Sequence, residues 1–123
     1  MSETKITSLG SAYRELFEVL EAAGFTSTVT HYSPESFGNF IVDCRSSAAD
    51  LRVTNDRGQI LIDVKTSGDE WLDKEKLLAS AGIEMSRYKT IDGLWTGYEP
   101  AIQASDLKAN LELLINTAAR EAV

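Results

Sequence analysis

The chain has 123 residues, 43% of them hydrophobic and 25% charged, which suits one globular domain spanning residues 1–123 and large enough to bury its own core. Twelve bases against nineteen acids give a net charge of −7, a balance that opposes nucleic acid and anionic membrane surfaces and suits a basic protein partner or simply high solubility. One cysteine, Cys44, excludes an internal disulfide and a cysteine-rich zinc site, so no metal or other cofactor is expected. The first residues lack a basic region followed by an apolar run, and no apolar stretch is long enough to span a bilayer. The expectation is a cytoplasmic protein.

In chain order, a first helix is expected from Ser8 or Ser11 to Ala23. Tyr13, Leu16, Phe17 and Leu20 share one face, and Gly24 is placed to end the helix. Residues 25–32 are rich in threonine and aromatics and read as a strand, followed by turn chemistry at Ser33-Pro34-Glu35-Ser36. Three alternating runs then follow. Phe40, Val42 and Cys44 form the apolar side of the first, Leu51 and Val53 that of the second, and Ile60, Ile62 and Val64 that of the third. The reversals fall at residues 46–49 and 55–58, with Gly58 free to take a positive φ.

Ser67-Gly68-Asp69-Glu70 matches a capping box, which predicts a second helix running to about Ala81 with Leu72, Leu77, Leu78 and Ala81 turned inward. Residues 83–103 have no clear period. A last helix, capped by Ser105 or Asp106, carries Leu107, Leu111, Leu114, Ile115 and Ala118 on one stripe. The order implies an α+β fold, an antiparallel sheet of about four strands with helices packed on one face.

The outward positions of the three alternating runs hold Asp43, Arg45, Asp50, Arg52, Asp63 and Lys65, with Leu61 the exception. Cross-strand pairing of these charges is the ordinary account, each exposed pair contributing a few tenths of a kcal/mol at most. Catalytic equipment is sparse. His31 is the only histidine, no G-x-S-x-G is present, and Gly93-x-x-x-Gly97 has no lysine after it. An enzyme is therefore not expected.

The chief exception is Asp63-Val64-Lys65, which with Asp50 resembles the active-site pattern of the PD-(D/E)xK nuclease superfamily. That resemblance implies a metal held by two carboxylates beside a lysine that steadies an attacked phosphate, and Glu18 could join them. It covers about sixteen residues, and Ala49 stands where the motif has proline.

Two acidic and aromatic patches suit protein binding better. Asp69, Glu70, Trp71, Asp73 and Glu75 are expected together at one helix start, where the helix dipole also favours carboxylates. Trp95, Tyr98 and Glu99 form the second, with burial under the last helix as the competing account.

The run LRVTNDRGQILIDV, then Trp71 and a short leucine-rich helix, then DLKANLELLINTA near the C-terminus, is similar to small bacterial immunity proteins of contact-dependent growth inhibition and related polymorphic toxin systems. The resemblance spans roughly residues 40–118 and implies a non-enzymatic partner of a toxin's C-terminal domain, often a nuclease. It carries over no catalytic residues and no defined interface.

Overall fold

The computed structural model describes residues 5–83 and 98–121. Two 3-10 turns, Ile6–Leu9 and Ser11–Tyr13, lead into α1 (Arg14–Ala22). Four strands follow: β1 (Thr26–Ser33), β2 (Asn39–Arg45), β3 (Asp50–Asp56) and β4 (Gln59–Lys65). A two-residue strand, β5 (Leu72–Asp73), then precedes α2 (Lys74–Ser80), and α3 runs from Pro100 to Glu121. The sheet order is β1-β2-β3-β4-β5 with every pair antiparallel, so the fold is α+β as expected, with a fifth strand added.

Period-two alternation decides which face is dry. Phe40, Val42, Cys44, Leu51, Val53, Ile60, Ile62 and Val64 are almost wholly buried and meet Leu16, Phe17 and Leu20 of α1, Leu77 and Leu78 of α2, and Leu107, Leu114 and Ala118 of α3. Each fully buried leucine or isoleucine contributes about 1.5–3 kcal/mol. Tyr13 stands edge-on to Phe40, ring centroids 4.9 Å apart, and fastens the start of α1 to β2. All three helices thus cover one face of the sheet.

Both short helices end in the same way. Gly24 and Gly82 take φ of +93° and +92°, and the following amides of Phe25 and Ile83 donate back to Leu20 and Leu78 carbonyls at 3.0 and 2.9 Å. This is the Schellman arrangement, and it packs Phe25 against the core. Cys44 is fully buried and accepts a hydrogen bond from Ser27 Oγ at 3.2 Å; burial pushes its thiol pKa up to about 11. A bulge between Val29 and His31 interrupts the pairing of β1 with β2.

Three expectations need correction. The capping box at residues 67–70 does not start a helix; those residues form bends, and Leu72 pairs with Val64 before the chain turns helical. The true N-cap is Asp73, whose carboxylate accepts from the Glu75 amide at 3.0 Å. Ser105 and Asp106 lie inside α3, which begins at Pro100, where a missing N–H costs nothing. The β3–β4 reversal is only Arg57-Gly58, because Asn55 belongs to β3 and is buried.

Candidate functional site

With the helices on one face, the opposite face of the sheet carries the outward side chains, and register places them in rows. Thr28, Asp43, Arg52, Asp63 and Asp73 are successive cross-strand neighbours from β1 to β5. The next row is Thr26, Arg45, Asp50 and Lys65, and the row on the other side holds Ile41, Thr54 and Leu61. Paired positions lie about 4.5–5.5 Å apart, close enough for each row to interact along its length.

The rows differ in balance. Arg45, Asp50 and Lys65 alternate in sign. In the first row one guanidinium serves three carboxylates, and it is committed to one of them. Arg52 grips Asp43 with two bonds, Nε–Oδ1 at 2.8 Å and Nη2–Oδ2 at 3.3 Å. This bond to Asp43 raises the arginine pKa further. Asp63 faces Asp73 directly across β4 and β5. Burial first, then the Asp73 charge, pushes the Asp63 carboxyl above its usual range, against a smaller pull from Arg52.

Trp71 completes this face. Its register continues the row of Lys65, and its ring is approached by Arg52 at 4.4 Å and by Lys65 at 4.7 Å. Such cation–π contacts contribute about 0.5–1 kcal/mol each where exposed. The bases expected to pair with acids are thus partly taken up by an indole. Asp69 and Glu70, just before it, are exposed. Asp69, Glu70, Trp71 and Asp73 thus follow one another along the β5 edge, with Asp73 at the start of α2.

Glu75 departs from them. It turns behind the sheet edge into a buried polar cluster with Lys74, Gln103 and Asp106. The Lys74 Nζ is wholly buried, 2.8 Å from Asp106 Oδ2 and 3.3 Å from Glu75 Oε1. Gln103 Nε2 donates to Glu75 Oε1 at 3.1 Å and to the Ile60 carbonyl at 2.9 Å. Burial first, and then a hydrogen bond with Asp73, hold the Glu75 carboxyl above its usual range despite Lys74. Tyr98 lies beside this cluster, half-buried, its carbonyl accepting from the Ile60 amide at 2.8 Å. Burial and the charges of Glu75 and Asp73 raise its phenol pKa. Glu99 is exposed, while Trp95 lies outside the described residues.

Asp50, Asp63 and Lys65 do share one face, as the nuclease resemblance requires, but Asp50 stands opposite Lys65 and Asp63 opposite Arg52. Glu18 cannot join them: it is on α1, and the sheet lies between. Among the described residues, no three His, Cys, Asp or Glu side chains are placed to hold a metal ion. His31 is exposed and bonded to Ser33 Oγ at 2.9 Å.

Sequence reasoning missed Lys74, Gln103 and Asp106. A usable signal existed, since Asp106 falls on the same helical stripe as Gln103, Leu107 and Leu114, and an acid on a buried stripe requires a buried base. No protein-family model, curated protein or solved structure matches the chain. Among the described residues no helix is long and apolar enough to cross a membrane.

Proposed function

We propose that this protein is a non-enzymatic binding protein that neutralises the basic C-terminal domain of a toxin, through the outer face of its sheet at the β4–β5 edge. The carrying observation is the facing pair Asp63 and Asp73: Arg52 is bonded to Asp43, and Asp73 is held by an uncharged donor, the Glu75 amide that it caps. Like charges directly opposite each other destabilise a sheet, and a cation from a partner reverses the sign of that interaction. Exposed Asp69 and Glu70 extend the negative strip, and Trp71 supplies an aromatic anchor beside it.

A net charge of −7 steers a basic partner at long range, while the aromatic centre supplies the slow dissociation that neutralising a toxin demands. Nanomolar binding corresponds to about −12 kcal/mol, more than rim charges supply without a desolvated anchor.

The test is co-purification with the C-terminal domain of the protein encoded immediately upstream, followed by titration calorimetry at two salt concentrations. Nanomolar binding that weakens at higher salt, with loss of that domain's toxicity, is the expected result. Absence of binding overturns the reading.

The placement of Asp50, Asp63 and Lys65 on one face supports a second reading, a metal-dependent nuclease. Mg²⁺-dependent cleavage of DNA that disappears in Asp63→Ala would establish it instead.

A further inference from the structure

At the end of the sheet away from Trp71, the β1–β2 and β3–β4 hairpins are tied together. Asn55 Nδ2 donates to the Gly38 carbonyl at 3.0 Å, and Asn55 Oδ1 accepts from the Gly58 amide at 3.0 Å. Asn39 Oδ1 accepts from the Arg57 amide at 2.8 Å. Two buried or half-buried asparagines thereby fix both turns relative to each other.

Two residues on these turns take φ values that side chains rarely adopt, Phe37 at +60° and Arg57 at +56°. Glycine would hold either position without cost, and glycine stands next to each of them. Phe37 is also 77% exposed, the one large hydrophobic side chain so exposed among the described residues. The Arg57 guanidinium carbon lies 5.9 Å from the centroid of its ring. A bulky residue in this backbone region thus opposes stability twice, through strain and through apolar exposure, and gains almost nothing inside the fold.

We infer that Phe37 is a pre-set anchor that inserts into an apolar pocket of the protein partner, a pocket with basic groups at its rim. The turn, fixed by the two asparagines, presents the ring to solvent before contact, so little backbone freedom remains to be lost on binding. Glu35 and Asp56, exposed on the same two turns, outnumber Arg57, which sits 3.9 Å from Asp56. That charge pattern meets a basic rim and repels an anionic lipid surface. The inference rests on the toxin-binding reading and adds to it a second, apolar point of contact, about a strand length from the acidic patch around Trp71.

The test compares wild type, Phe37→Gly and Phe37→Leu for binding to the C-terminal domain encoded immediately upstream, together with melting curves of the free protein. Phe37→Gly should melt no lower than wild type, because it relieves the strained φ, yet lose about 30-fold in affinity through faster dissociation. Phe37→Leu, which keeps an apolar side chain, should retain part of the affinity. Wild-type binding that is unchanged in Phe37→Gly overturns the anchor and leaves the function intact. Failure of wild type to bind overturns both. Binding of wild type, but not Phe37→Gly, to phosphatidylserine vesicles or to a second copy of the chain would assign the ring elsewhere and also overturn the inference.

Discussion

Carboxylates collect at two places around the β4–β5 edge, and the protein treats them in opposite ways. Behind the sheet, Asp106 and Glu75 converge on one fully buried lysine and a buried glutamine, largely closed off from water, and burial pushes Glu75 towards its neutral form. On the outer face, Asp43, Asp63 and Asp73 share one arginine, and the excess stays within reach of solvent. A buried charge without a partner costs several kcal/mol, whereas an exposed one costs little, so surplus charge can persist only where something else can reach it. The contrast separates a structural cluster from a surface suited to binding, although both use the same residue types a few positions apart.

That contrast is breakable. Asp106→Ala should have the largest effect on stability, up to about 3 kcal/mol, by removing the nearer of the two carboxylates on buried Lys74 and leaving it only Glu75; urea denaturation measures it. Pairing Asp106→Leu with Lys74→Met should recover part of that loss, because it removes two buried charges and leaves Glu75, already pushed towards its neutral form, bonded to Gln103. If the double variant is as unstable as the single one, the cluster is held by something other than charge matching.

On the outer face the order reverses, with binding changed more than stability. Trp71→Ala should cost about 2 kcal/mol in affinity for the basic partner, and less in stability, where it removes two cation–π contacts and the burial of a half-buried ring.

Asp63→Asn sharpens the contrast at the smallest scale. The Asp63 pKa is raised in the folded protein, so its protonated form is favoured there. The contribution of this group to stability is therefore fullest below its ordinary pKa of 3.8 and is lost as pH rises through the raised value. Asn, neutral throughout, should stabilise the protein by a few tenths of a kcal/mol at pH 7 and by nothing at pH 3. Melting curves at the two pH values would show it. A destabilised variant at pH 7 would mean that attraction to Arg52 outweighs repulsion from Asp73.

The sheet was the most legible part of the sequence, since alternation in FIVDCR, DLRVT and QILIDVK, interrupted at Ile41 and Leu61, leaves one face far better suited to a core. Helix starts were less legible. Ser67 and Asp73 are equally good caps by composition, and what selects Asp73 is the pairing of Leu72 with Val64, a contact between distant segments that no local pattern encodes. For the same reason the patch around Trp71 could be read as a group of residues, but not as facing Arg52 and Lys65. Phe37 left no readable trace, because an aromatic after a Pro-Glu-Ser turn is unremarkable until its φ and exposure are known.

The lone cysteine gives the fold its own reporter. Cys44 lies on the dry face near the end of β2 with its sulfur held by Ser27, and its thiolate forms only far above neutral pH. A thiol reagent at pH 8 can reach it only when β1 lifts from β2 or the helices leave the sheet. Labelling kinetics, with and without a bound partner, would therefore time the rarest openings of the molecule without a single substitution.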